Sequence, residues 1–583
     1  MSSTALSYTA TLVSGVFLLV AAAADRDCPA YPSSKWSFGL ANLKRQADTR
    51  RQTLTLTNNF STKSGNAPVE QNFIDEHIFS RLRTEGIPSA PLSNDSEFIR
   101  RVTIDLIGRL PDGERVRRFL QDETRDKRTA LIDDLLASPA FADRWTVWFD
   151  DLLRNTSSYP TISVAGRNAL HQYVHQSIEE GKPYNQFVLE LLTGGHSSDG
   201  PANYILRTYR PGDLAQEFWD DLTANVTATF LGIQTLCISC HDGAHHLEPI
   251  NTYLSQRKRS DFWQQSAFFS RMVILQGDHY TIRDKSDGAY LTDVTGGQRP
   301  PRNGGPYDPR YLFTGEQPSS GDYRRELGTL LTADFQFARS FVNRIWAHFM
   351  VIGIVDPTDA FDLENYSAQA SHPELLDRLA HDFIDNGYDL RQLIRRITSS
   401  SAYQLSAAYP VDWREQYSSL FARKLVRRLD AEEIHDSIVQ ATGMPEFYTV
   451  DGLAEPVAWA MQLPDANEPR DNPALAFLIS MGRGNRTYTP RDSSNSILGS
   501  LALANDGFVL NRISAHGSTN LAGLLTRDSD DQIIEELFIR TLSRFPKPDE
   551  VTIARRRPGQ DRVKWAEDLQ WALINRLEFV LDY

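Results

Sequence analysis

The sequence predicts a mainly α protein of two helical domains with a small β insertion between them. Three observations predict it. Apolar residues recur at i, i+3 and i+4 over long stretches on both sides of the chain's middle; a short segment from Gln276 to Val294 carries strand-like texture instead; and a stretch dense in Gly and Pro follows it. A chain of 583 residues, 41% hydrophobic and 23% charged, has room for roughly two to four cored domains and is too polar for repeated membrane spanning. With 61 Lys and Arg against 75 Asp and Glu, the formal charge of −14 would repel a phosphate backbone, so nucleic acid is not an expected partner.

No ionisable side chain precedes Asp25, and Gly15 to Ala24 reads GVFLLVAAAA, which fits a signal peptide over residues 1–24 cleaved after small residues. The protein is therefore expected to be exported, to the periplasm or the cell surface. The rival is an uncleaved anchor, the one membrane contact the sequence suggests; Ser2, Ser3, Thr4, Ser7, Thr9, Thr11 and Ser14 dilute it. Residues 25–68 are polar and irregular and read as a linker.

The first domain is expected over 69–294. Ile74, Ile78 and Leu82 mark one helix face, Asn94 with Glu97 resembles a capping box ahead of Phe98 and Val102, and Leu131, Leu135 and Leu136 open another amphipathic segment. The stripe Leu222, Val226, Phe230, Ile233, Cys237 places a cysteine at a helix end. In the β insertion Asp287-Gly288 is the expected hairpin turn. Residues 295–318, with TGGQRPPRNGGPYDP, read as a Gly/Pro-rich linker. The second domain spans 319–583, with a capping box at Ser371-His372-Pro373-Glu374 before Leu375, Leu379 and Phe383. Ile534, Leu537, Phe538 and Thr541, then Leu569, Leu573, Leu577 and Val580, form the closing helices.

Chemistry concentrates at Cys237-Ile238-Ser239-Cys240-His241, a C-x-x-C-H. With 3 Cys and 13 His in 583 residues, random placement yields this pattern about 3 times in 10,000 chains. It is the attachment signature of haem c: two thiols a turn apart reach the two vinyl groups of one porphyrin, and His241 becomes the proximal iron ligand, its other ring nitrogen donating to Asp242 or Glu248. His348 and Met272 are the candidates for a sixth ligand, while His245 and His246 read as supporting or surface groups. Zinc held by Cys237, Cys240 and one or two of His241, His245 and His246 is the alternative cofactor, and a thioredoxin-like pair is a further one. His348 with Asp356, Asp359 and Asp362 forms a polar knot that suits a helix-terminating turn, acid–base hydrolysis or the holding of a cation. Arg423, Lys424, Arg427 and Arg428, and Arg555 to Arg557, suggest solvated faces or ion-pair networks.

Beyond these motifs the residues resemble a known family. Phe73-Ile74-Asp75, the run Ile99 to Gly108, Leu110-Pro111, Leu135 to Pro139 and Arg144-Trp145 are similar to the planctomycete-type cytochrome c domain, domain of unknown function 1549, in which Phe230-Leu231-Gly232 precedes the cysteine motif. Phe337 to Arg339, Val342 to His348, Asp356-Pro357, Ser371 to Asp377, Arg428 to Glu432 and Ala504 to Asp506 resemble domain of unknown function 1553, which usually follows it. The resemblance implies an exported bacterial protein with covalent haem in electron transfer or an oxidative step, and names no substrate. Relatives often read C-H-D-H, whereas here Asp242 is followed by Gly243.

The expected function is single-electron transfer with a redox partner protein in the periplasm or at the surface. The competing expectations are a haem-dependent oxidoreductase or hydrolase acting on an extracellular polymer, and a zinc-stabilised structural protein.

Overall fold

The computed structural model describes residues 68–583 apart from 295, 488, 490, 493–495, 518 and 557–560. The signal peptide expected over 1–24, and the linker up to residue 67, lie outside the described residues. Helix accounts for 54% of the structure and strand for 4%. No helix among the described residues is long and apolar enough to cross a membrane.

The first helix, α1 (Phe73–Glu85), starts where the Asn72 side chain accepts from the Ile74 amide, and it stops at Gly86, whose φ of 66° is left-handed. In α2 (Asp95–Ile107) the Asn94 side chain accepts from the Glu97 amide at 2.9 Å, as the spacing predicts. Arg100 and Arg101 on this helix are buried and reach the far end of the chain: Arg100 donates to the Phe579 carbonyl at 2.6 Å and Arg101 to the Tyr583 carbonyl at 3.0 Å. Helices α3 (Pro139–Leu152) and α4 (Val164–Glu179) follow, then α5 (Ala215–Val226), which leads to the cysteines.

The β insertion is a two-stranded antiparallel hairpin, β1 (Met272–Gln276) and β2 (Tyr280–Asp284), with Met272 opposite Asp284. Its turn is Gly277 to His279, not Asp287-Gly288. Gly288 instead lies flat on Ser270, where a Cβ would stand 2.6 Å from the Ser270 carbonyl oxygen, so its glycine serves a close approach.

The second half is again helical, with α6 (Tyr323–Ala333), α7 (Phe335–Met350) and α8 (Pro373–Asp385). Ser371 does not cap α8: its hydroxyl and amide both donate to the Ile354 carbonyl, and His372 takes the cap position without a capping side-chain bond. The basic run Arg423 to Arg428 is interior. Lys424 is fully buried between Asp105 at 3.7 Å and Asp582 at 3.6 Å, and Arg427 bonds Asp105 at 2.9 Å and Glu433 at 2.7 Å. Glu433 sits on α9 (Ala431–Thr442), and a short sheet pairs β3 (Arg427–Arg428) with β4 (Leu581–Asp582).

Two apolar cores result. One runs from Ile74 to Leu425 and adds Ile539; the other joins Ile104, Leu110 and Ala407 to residues from Val426 onward. The larger core has an aromatic centre in which Tyr184 stacks on Phe341 with ring centroids 3.7 Å apart, and Trp145 lies against Trp148 and Phe349. Helix α6 crosses Tyr184–Thr193 where Gly328 admits Leu189, and Arg324 of α6 bonds Asp284 at 2.6 Å and the Leu192 and Gly194 carbonyls.

Candidate functional site

The approach to the cysteines is built by a helix that is brought to an end. After α5 a π-turn over Thr227–Leu231 carries Phe230 and Leu231 into the core, and Gly232, with φ 68°, stops it. A Cβ at Gly232 would lie 2.8 Å from Ser340 Oγ and 2.9 Å from Phe361 Cδ2, so only glycine lets α7 and the segment 356–362 close on this point. Cys237 therefore does not end a helix. It lies in a separate 3₁₀ turn, Thr235–Ser239, in which the Cys237 carbonyl accepts from the Cys240 amide at 3.2 Å and the His241 amide at 3.4 Å. The two thiols and the imidazole thus share a single turn. Ile238 and Ser239 are buried under it, whereas Cys237, Cys240 and His241 are half-buried along its outer side.

His241 Nδ1 is 2.7 Å from the Asp242 carbonyl oxygen. A carbonyl can only accept, so Nδ1 carries the proton and the neutral ring presents Nε2 as its lone-pair nitrogen, the form a metal ligand needs. The expected choice between Asp242 and Glu248 falls to the Asp242 backbone; the Glu248 carboxylate accepts from the His245 amide at 2.7 Å. His246 lies beside His241 with ring centroids 4.7 Å apart, and both His245 and His246 are exposed.

Gly243 holds this loop to the body. Its amide donates to the Arg257 carbonyl at 2.8 Å, and a Cβ there would stand 1.9 Å from the Leu254 carbonyl oxygen. A histidine at this position could not be accommodated without moving 254–257.

Two segments wall the turn. From the second half, Asp359 accepts from Gln234 Nε2 at 2.8 Å, Phe361 donates its amide to the Gly232 carbonyl at 2.9 Å, and Asp362 accepts from the Thr252 and Tyr253 amides at 2.7 and 3.0 Å. Asp359 and Asp362 are thus turn and cap groups, and His348 stands apart from them. The second wall is the Gly/Pro-rich stretch, which is strapped across α5. Arg299 reaches Glu217 and Asp221 at 2.6 Å each, and Arg302 reaches Asp220 at 2.7 Å and Glu217 at 3.0 Å. Burial alone would lower both guanidinium pKa values, but the carboxylates outweigh it and hold them above the ordinary range.

Arginines meet at Ser239, between the cysteines. Arg299 Nε donates to Ser239 Oγ at 2.9 Å and Arg259 Nε to the Ser239 carbonyl at 3.2 Å, while Ser239 Oγ lies 3.6 Å from Cys240 Sγ. Neither arginine is marked by the motif. The signal available in sequence was the pair of arginines in an otherwise Gly, Pro and Asn stretch, facing Glu217, Asp220 and Asp221 on one helix.

The sixth-ligand candidates lie in other surroundings. Met272 begins β1 and packs in the larger core. His348 is enclosed by Trp145 and Phe349, and burial followed by the Arg144 charge lowers its pKa to about 3. Among the described residues no group of three or more His, Cys, Asp or Glu is gathered to hold a metal ion.

The donor set, two thiols and an imidazole that donates from Nδ1 on the outer side of one short turn whose Ile238 is buried, is of the kind that haem c takes. Residues 73–273 match PSCyt2, a protein of unknown function (DUF1549), and residues 324–557 match PSD1, a protein of unknown function (DUF1553). No curated protein matches the chain, and no solved structure matches it.

Proposed function

We propose, for a chain that carries a DUF1549 domain followed by a DUF1553 domain, that it is an exported c-type haem protein transferring single electrons between partner proteins of the periplasm or cell surface. The observation that supports this best is the one-turn arrangement of Cys237, Cys240 and His241, with His241 Nδ1 committed to the Asp242 carbonyl. Cys237 and Cys240 would hold the porphyrin by thioethers, each S–H adding across a vinyl double bond so that no oxidant is consumed. His241 Nε2 would ligate iron. Haem c, when bound, supplies a one-electron Fe(III)/Fe(II) couple.

The chain's own residues do the positioning. The Asp242 carbonyl sets the imidazole tautomer and its plane. Gly243 and the Arg257 carbonyl fix the loop behind it. Asp359 and Gln234 from one side, and the Arg299–Glu217 pair from the other, keep the turn from shifting as charge changes nearby. The hydrolytic alternative has less support, since His348 is enclosed in aromatic packing and its depressed pKa leaves it neutral.

The test is to mature the chain in a host with a cytochrome-assembly pathway. A pyridine haemochrome spectrum, haem retained through acid–acetone extraction, and an intact mass of polypeptide plus one haem are expected. A colourless protein with the mass of the bare processed polypeptide would defeat the reading.

A further inference from the structure

We propose that Arg259 is a potential-setting residue: a fixed guanidinium beside Cys240, in contact with no carboxylate, that favours the ferrous over the ferric state. This rests on the haem reading above and specifies one of its determinants.

Arg259 and Arg299 meet at Ser239 of the C-x-x-C-H turn with Arg302 near them, and the three differ in what surrounds them. Arg299 and Arg302 together face three carboxylates, Glu217, Asp220 and Asp221, at 2.6 to 3.0 Å. Two cations thus face three carboxylates, and Asp220 also attracts Arg259 from beyond contact distance. Arg259 is held by carbonyl oxygens alone: Nε donates to Ser239 at 3.2 Å, Nη1 to Pro301 at 3.0 Å and Nη2 to Pro300 at 3.0 Å. Its plane also lies over the Trp263 ring, 4.6 Å from the centroid. Carbonyl dipoles and an aromatic face orient a guanidinium without neutralising it. The nearest carboxylate on the strap side, Asp220, is engaged by Arg302 at 2.7 Å, and Asp242 accepts from the Arg259 backbone amide and not from its side chain. Among the described residues no carboxylate lies within 4.0 Å of the Arg259 guanidinium nitrogens.

The charge is also well placed. The Ser239 carbonyl that Arg259 grips immediately precedes Cys240, so the guanidinium and one thioether anchor share a peptide unit. Half-buried and pinned at three points, it is screened less than a mobile surface charge. Reduction removes one positive charge from the iron site, so a neighbouring cation opposes the ferric form more than the ferrous form. A unit charge roughly 10 Å from a one-electron centre, at an effective dielectric of about 20, changes such an equilibrium on the order of tenfold.

A second role is plain from the same bonds: Arg259 ties the strap to the turn. The two roles separate in the lysine variant, because lysine keeps the charge and loses the planar fork that grips three carbonyls.

The experiment compares haem-loaded parent, Arg259→Gln, Arg259→Met and Arg259→Lys, with Lys258→Gln at the exposed neighbouring position as control. Haem attachment is read by intact mass, and the ferrous-to-ferric ratio by absorbance during mediated redox titration at fixed solution potential. Both neutral variants are expected to lower that ratio about three- to tenfold, with Arg259→Lys and Lys258→Gln within about twofold of the parent. Arg259→Met, which keeps an apolar stem over Trp263, decides the matter if Arg259→Gln does not fold. Equal ratios in all variants overturn the inference, and so does a lysine variant that shifts as far as the neutral ones. Parent protein without haem removes the proposed function, and this inference falls with it.

Discussion

Gly243→Ala tests whether the loop behind His241 is as closely fitted as its contacts imply. A Cβ at this position would stand 1.9 Å from the Leu254 carbonyl oxygen and 2.8 Å from Ser255 Cα. Ordinary contact begins near 3.4 Å, so the two chain segments must part by about 1.5 Å. Both offending atoms are backbone and neither can rotate aside. Parting them breaks the 2.8 Å bond from the Gly243 amide to the Arg257 carbonyl. A buried amide left unpaired costs about 1–3 kcal/mol, and overpacking about 1–3 kcal/mol more. A chain with two cores need not unfold in one step, so the effect belongs in a local measurement. Hydrogen exchange in peptides spanning 240–258 should rise about thirtyfold for a loss of about 2 kcal/mol, with exchange elsewhere unchanged. Gly507→Ala, where a Cβ meets nothing within 4 Å, is the control and should behave as the parent. If Gly243→Ala leaves those peptides as protected as the parent's, the close approach does not constrain the loop and the argument is wrong.

Lys424→Met should cost about 3–5 kcal/mol, because it leaves buried Asp105 and Asp582 facing one another with less compensation; chemical denaturation measures it, and a loss under 1 kcal/mol would contradict the network. His348→Phe should flatten the acid side of the stability profile. With a folded pKa of about 3 against an unfolded value of 6.5, the unfolded chain alone takes up this proton, so the parent loses stability as pH falls from 6.5 towards 3, about 2 kcal/mol of it by pH 5. The variant's loss between pH 7 and pH 5 should be smaller by about that amount, and equal losses would show that His348 is not the group responsible. Arg302→Met should strand Asp220 and loosen the strap, so limited proteolysis should cut between residues 296 and 309 faster than in the parent; an unchanged rate would mean that the strap is held by other contacts. If the proposed function holds, replacing both Cys237 and Cys240 by Ala should abolish acid-resistant haem while leaving far-ultraviolet circular dichroism intact, and haem that survives acid extraction in the variant would refute thioether attachment.

Much of the helical framework was legible because it rests on local rules. Asn72 and Asn94 cap their helices, and the stripe Ile74, Ile78, Leu82 is buried as its spacing requires. The closeness of Cys237, Cys240 and His241 on one turn was equally local, since they are near neighbours in the chain. Long-range partners were what the sequence hid. Ser371 matches a capping box in pattern, yet the Ile354 carbonyl takes its hydroxyl. Asp287-Gly288 has the composition of a hairpin turn, but Gly288 is needed against Ser270. The run Arg423 to Arg428 suits a solvated face or an ion-pair network alike; Lys424 and Arg427 form a network, but nothing local reveals its members Asp105, more than 300 residues earlier, and Asp582. The strap arginines stand out by composition, but their partners were hidden for the same reason, the carboxylates lying some 80 positions upstream on α5.

The larger apolar core draws side chains from Ile74 through Leu425, across both matched regions. Severing the polypeptide between them would therefore divide one interior and leave two wet, adhesive faces where Tyr184 and Phe341 now meet. Neither fragment is a unit that evolution could readily shuffle into another gene, and laboratory dissection faces the same obstacle. The pair should be inherited, expressed and engineered as one piece, with any split reporter or fusion joint placed outside it.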